Sequence, residues 1–178
     1  MNKNLNKYKI YGKYRFKKIF FLSKFDERTG IITKHNPIKI YNKYLSLIPG
    51  IPRIMTAYEN SYFILINIHL EYKSKLANNI GLNKIYKFIS KHRDKSIVLL
   101  GDFNTYEDNP KFIEFENKLE EINIKRINNE TRTFSNRQID YIFLSNNINL
   151  IDIWTDKTIM SISDHRPIFI KIGIKINK

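Results

Sequence analysis

The sequence predicts an α/β domain in which helices pack on the faces of a sheet. Three observations carry that prediction. Strand-length runs of β-branched and aromatic residues recur, the clearest being Ser61 to His69. Two stretches between such runs, Asn78–His92 and the one opened by Pro110, repeat apolar residues at helical spacing. The 178 residues, 42% hydrophobic and 13% aromatic, suffice for one core, and no linker or repeat divides them, so residues 1–178 read as a single domain.

Taken in order, residues 8–25 mix Tyr, Lys, Phe and Ile without periodicity and read as a loop with a short strand near Lys18–Leu22. Gly30–Thr33 continues as a strand that Asn36-Pro37 ends. Lys39–Leu47 alternates imperfectly but reads as a strand, and Pro49-Gly50-Ile51-Pro52 is a turn cluster. Ser61–His69 is a buried strand. Asn78–His92 is a helix with Leu82, Ile85, Tyr86 and Ile89 on one face. Ser96–Leu100 is a short continuous apolar run, as a strand buried on both faces should be. Pro110 suits the first position of a helix that turns Phe112, Phe115, Leu119 and Ile122 to one side. Gln138–Leu144 and Ile148–Trp154 read as strands. Pro167–Ile174 closes the series with period-two spacing that puts Ile168, Ile170, Ile172 and Ile174 on one face.

There is no cysteine, which excludes disulfides, thiolate metal sites and a Cys nucleophile. No apolar run is long enough to span a bilayer, and the N-terminus has no signal-peptide core, so the chain as written reads as cytoplasmic. The net charge of +14 invites a polyanionic partner, nucleic acid or an anionic membrane. Lys and Asn are abundant throughout, so compositional drift explains much of that charge equally well. The first 24 residues, however, hold eight Lys/Arg and no acid, which tips the reading toward a phosphate-facing surface.

Four polar motifs sit where apolar strands surface: Asn67-Ile-His69-Leu, Gly101-Asp102-Phe-Asn104, Ile139-Asp140-Tyr-Ile and Ser163-Asp164-His165-Arg-Pro. Asp102 can accept a proton from water, and the Asn104 amide can hold that water or a phosphate oxygen. Taken alone, the Gly-Asp-Phe-Asn run is ordinary turn chemistry. His165 has a free pKa near ~6.5 and can stabilise or protonate at neutral pH, while Asp164 is a hard oxygen donor suited to Mg²⁺. A capped turn before Pro167 accounts for the Ser, Asp and Pro but not for the histidine. Asp140 lies inside an apolar strand, where a carboxylate needs a partner, and His165 is the natural one. The plain alternative puts Asp140 on a solvent face. His69 alone would be a core histidine; with the other motifs in view it is a phosphate contact. His35 and His92 read as surface residues.

In this order and spacing, NIHL, GDFN, IDYIFLS and SDHRPI resemble the endonuclease/exonuclease/phosphatase superfamily, the DNase I-like fold. GIITKHNPI and Thr133-Phe134 add to the likeness, which spans about Gly30 to Ile172. The resemblance implies a four-layer α/β/β/α sandwich and phosphodiester or phosphomonoester hydrolysis with Mg²⁺ or Mn²⁺. It implies that Asp102 orients or deprotonates the attacking water and Asn104 helps place it. His165 would stabilise the phosphate with Asp140 holding it, Asp164 would belong to the metal site, and His69 would contact the phosphate. Family members begin with a strand ending in Asn and a later strand ending in Gln-Glu, whose Glu binds the metal. Here neither is found; Glu27 is misplaced for the role, and Glu59 and Glu71 match nothing. The expectation is therefore a metal-dependent phosphoesterase or nuclease-like hydrolase, N-terminally incomplete and monomeric, whose activity as written is in question for want of that Glu. The alternative is a non-catalytic remnant that binds polyanions through its basic surface. No long insertion interrupts Thr133–Ser145 and no Arg-rich inositol-phosphate segment is present, which ranks nucleic acid first and lipid head groups second as substrate.

Overall fold

The computed structural model describes residues 8–14, 28–46, 52–127, 132–135, 137–156 and 163–174. Its framework is a six-stranded mixed sheet built from β3 (Lys39–Ser46), β4 (Arg53–Glu59), β5 (Ile64–His69), β6 (Ile97–Asp102), β7 (Ile124–Arg126) and β8 (Asp140–Ser145). Their order across the sheet is β3-β4-β5-β6-β8-β7. Only β5 and β6 run parallel, because α1 (Lys75–Ser90) carries the chain back between them; the other neighbours are antiparallel.

Helix α1 is capped where the Ser74 hydroxyl accepts the Ala77 amide at 3.2 Å, so it begins at Lys75, three residues before the Asn78 expected from the sequence. The second helix, α2 (Pro110–Glu120), has Asn109 as its cap and Pro110 at its first turn. Both helices cover one face of the sheet. Ile85, Phe88 and Ile89 of α1 and Phe112, Phe115 and Leu119 of α2 are buried there with Met55, Ile66, Leu99 and Phe143. Phe103 packs edge-on to Phe112 and Tyr141, with ring centroids 5.6 and 5.5 Å away.

Two hairpins lie on the opposite face. One joins β9 (Ile148–Thr155) to β10 (Ile168–Ile174), whose Ile168, Ile170 and Ile172 pack on Val98, Ile142 and Leu144. The period-two reading of the last strand is thus realised through Ile172, the register shift opposite Lys171/Ile172 being absorbed by Ile151 of β9. The other hairpin joins β1 (Lys9–Tyr14) to β2 (Arg28–Thr33). It is tied to the sheet where Thr56 donates to the Thr29 carbonyl at 2.8 Å and Asn67 to the Gly30 carbonyl at 2.9 Å. Helices, mixed sheet and hairpins make an α+β sandwich, three of the four layers expected being present among the described residues.

Three strands depart from the sequence expectation. Lys9–Tyr14 is a strand rather than a loop; its outer positions are apolar, with Ile10 and its partner Ile32 both about two-thirds exposed, so no polar–apolar alternation marks it. β4 was not anticipated because Arg53, Thr56 and Glu59 break its apolar pattern, yet every residue in it is buried. β7 is three residues at a sheet edge, too short for any period. The strand expected near Lys18–Leu22 and most of the Pro49–Pro52 turn cluster lie outside the described residues.

Candidate active site

Three site residues stand side by side across the sheet. His69 ends β5, Asp102 ends β6 and Asp140 begins β8, and the register pairs His69 with Asp102 and Asp102 with Asp140. The last turn of β6 depends on Gly101, which has φ +135°; a Cβ there would lie 2.1 Å from the Ile68 carbonyl oxygen. The chain then leaves the sheet through Asn104, whose φ of 47° is one that Asn tolerates. The Asn104 amide donates to Asp102 Oδ1 at 2.8 Å, and its side-chain Nδ2 bridges Asp102 Oδ2 (3.1 Å) and the Leu70 carbonyl (2.9 Å).

His165 reaches this row from a distant segment. Thr133, fully buried, organises the approach: its hydroxyl accepts the amides of Ile139 and Asp140 at 3.3 and 3.2 Å, and its carbonyl accepts that of Arg166 at 2.8 Å. Phe134 lies against the His165 ring, 4.8 Å between centroids. His165 Nδ1 is then 2.9 Å from Asp140 Oδ2. Donor atoms of Asp102, Asp140 and His165 fall within 4.8 Å of one another. Asp164 is exposed and sits on the wall of the same cleft, outside that tight set.

The cleft has a volume of about 770 Å³ and is lined by His69, Asp102, Asn104, Phe134, Asp164 and His165, whereas Asp140 stays behind the His165 ring it is hydrogen-bonded to. Burial, and then the charge of Asp140, push the Asp102 carboxyl up to about 6; the Asn104 amide, His165 and Arg53 pull the other way. Two carboxylates thus meet in a half-buried place where ionising both is costly.

The sequence reading missed two cleft residues. Arg53, 3% exposed, donates to His69 Nε2 at 2.8 Å and reaches Glu71 Oε2 at 3.4 Å. Glu71, set aside as matching nothing, also accepts the amides of Tyr72 and Lys73 at 3.0 and 2.9 Å. Those amides and Arg53 hold its carboxyl below the usual range despite burial, and they engage both of its oxygens. The signal available was an Arg inside an otherwise apolar run, which demands a buried acid. Glu59 is likewise buried and paired, with Lys95 and Tyr41. His92 is half-buried rather than on the surface, its Nδ1 2.8 Å from the Phe88 carbonyl oxygen and its ring 4.4 Å from the Phe88 ring; His35 is exposed.

A family model described as the endonuclease/exonuclease/phosphatase family matches residues 14–165. Curated proteins return no match. Among solved structures, a family protein from Bacteroides vulgatus superposes with a TM-score of 0.76 at 16% identity, covering 96% of this chain and 78% of that one. A mannosyl-6-phosphatase from Bacteroides thetaiotaomicron gives 0.73 at 16% identity, with 94% and 78% covered. The catalytic domain of human Nocturnin, with a bound sulfate anion, gives 0.74 at 14% identity, with 96% and 74% covered. At these identities the likeness is one of fold.

Proposed function

The chain belongs to the endonuclease/exonuclease/phosphatase family, and from that premise we propose that it hydrolyses phosphoester bonds with the help of a divalent cation, Mg²⁺ or Mn²⁺. The observation that carries the reading is the row His69–Asp102–Asp140, completed by His165, at the base of one cleft.

The donor set fits a hard cation. Asp102 and Asp140 supply carboxylate oxygens, Asp164 offers a third from the cleft wall, and the chain has no thiolate. A cation held by these carboxylates would offset the burial and the Asp140 charge that raise the Asp102 pKa. When bound, it supplies Lewis-acid polarisation of the phosphoryl oxygens. Glu71 is engaged by Arg53 and two amides, so it is a support for the site rather than a ligand.

The protein's own groups then divide the work. Water attacks phosphorus and its proton passes to Asp102, while Asn104 holds that carboxylate in place through its backbone amide and Nδ2. The ester P–O bond breaks and the leaving oxygen departs as the alcohol, taking a proton from solvent, while Asp102 returns its proton to water. His165 donates from Nε2 to the phosphate as charge accumulates, its Nδ1–H held by Asp140, which stabilises the imidazolium. His69, braced by Arg53, contacts a phosphate oxygen. The test is hydrolysis of bis(p-nitrophenyl) phosphate and of oligonucleotides with added Mg²⁺ or Mn²⁺. Asp102→Ala and His165→Ala should each lose on the order of 10²-fold or more in kcat. Unchanged turnover in both variants, or no metal-dependent turnover by the folded wild type, rejects the assignment.

A second reading rests on the charge of +14: a polyanion-binding protein without catalysis. It requires salt-sensitive nucleic-acid binding that ignores both Mg²⁺ and His165→Ala.

A further inference from the structure

Two exposed tyrosines line the cleft and have no part in the hydrolysis. Tyr72, three residues past His69, is 57% exposed, and Tyr106, two residues past Asn104, is 42% exposed. They extend from the ends of β5 and β6, neighbouring strands that also deliver His69 and Asp102. Both rings keep much of their apolar surface in water. Each is accompanied by cations. The guanidinium carbon of Arg137 lies 4.4 Å from the Tyr106 ring centre. Lys73 Nζ and the Arg53 guanidinium carbon lie 5.4 and 5.7 Å from that of Tyr72. Lys75 adds a charge to the cleft wall.

Of the four amide side chains that line the cleft among the described residues and could read sugar hydroxyls, all but Asn79 are engaged by the fold. Asn78 Nδ2 donates to the carbonyls of Glu71 and Phe103 at 2.8 and 2.9 Å. Asn109 Oδ1 caps α2, and Asn104 is held by Asp102 and Leu70. What the rim offers instead is ring faces interleaved with cations. That combination suits a chain of phosphates carrying flat, unpaired bases, since stacking tolerates any base and the cations follow the backbone.

We propose that Tyr72 and Tyr106 are base-stacking platforms and that the substrate is an unpaired stretch of nucleic acid. One backbone phosphate enters the cleft while neighbouring bases lie on the two rings, and Lys73, Lys75 and Arg137 face the flanking phosphates. The placement of that phosphate rests on the hydrolase reading; the stacking itself can be measured without turnover.

The experiment is a fluorescence-anisotropy titration of the full chain in EDTA. The probes are labelled oligothymidylate, oligouridylate, an abasic strand of equal phosphate count, and a duplex. The base-bearing single strands should bind about 10-fold or more tighter than the abasic strand, given about 1–3 kcal/mol per stacked base. Tyr72→Ala and Tyr106→Ala should each weaken the base-bearing strands about 5-fold or more and leave the abasic strand unchanged, while Tyr→Phe retains wild-type binding. Base-dependent binding of either sugar supports the inference. Equal affinity for base-bearing and abasic strands overturns it, as does a duplex bound as tightly as the single strand, or a loss in the Ala variants shared by the abasic probe. Failure of the hydrolase reading is a separate result: no metal-dependent cleavage of bis(p-nitrophenyl) phosphate while base-dependent binding persists.

Discussion

The guanidinium of Arg53 donates to Nε2 of His69 across 2.8 Å, and because arginine has no acceptor this contact makes Nε2 the accepting nitrogen. On its other side Arg53 meets Glu71, so one buried cation links the sheet interior to the cleft. Arg53→Met leaves the Glu71 carboxylate buried without its counter-charge and should cost about 3–5 kcal/mol, read by urea denaturation. Pairing it with Glu71→Gln should restore part of that loss. A double variant as unstable as the sum of the singles would mean the two are not coupled.

Gly101→Ala tests the close approach of β6 to its parallel neighbour β5. A methyl group there would meet the Ile68 backbone at 2.1 Å, and φ is +135°. Neither can relax without moving a central strand that carries Asp102. The expected cost is about 3 kcal/mol or more, with turnover falling alongside stability. A variant of wild-type Tm would show that this backbone path is not needed.

Asp140→Asn preserves shape but removes the charge that holds His165 Nδ1 at 2.9 Å. By analogy with carboxylates that orient a catalytic imidazole, kcat should fall by about 10²–10⁴-fold with little change in KM. A KM effect alone would assign Asp140 to substrate binding.

Glu59 makes acid stability measurable. Its carboxyl is held below the usual range first by Lys95 and then by the Tyr41 hydroxyl, which donates at 2.6 Å; burial opposes both. Burial, and then the same contact, push the Tyr41 hydroxyl up to about 12. A carboxyl with a lowered folded pKa contributes fully above its unfolded value, near ~4.3, and loses that contribution as pH falls through the folded value. Tm should therefore drop on acidification below about pH 5, more steeply in the wild type than in Glu59→Gln. Parallel Tm–pH curves for the two proteins would refute this.

The strands and helices that could be read in advance are those whose pattern reports one buried face. Ser61–His69, the two helices and Pro167–Ile174 alternate or repeat as their burial requires, and the structure places them within a few residues of expectation. β4 could not be read that way. Its polar residues are inside the protein, satisfied by partners far along the chain: Glu71 for Arg53, Thr29 and Asn42 for Thr56, Lys95 and Tyr41 for Glu59. β1 hid for the opposite reason, since its exposed face carries Ile10 where a polar residue would have marked it.

By itself the sequence determined which groups surface at the ends of which strands, because a strand's burial pattern and its exit turn are local properties written in neighbouring residues. Tertiary structure alone decided that His69, Asp102 and Asp140 stand in one lateral row, that Thr133 docks His165 against Asp140, and that Arg53 and Glu71 brace the cleft from beneath. Strand register and the partner of a buried charge are settled by packing between segments distant in the chain, and no local period records them.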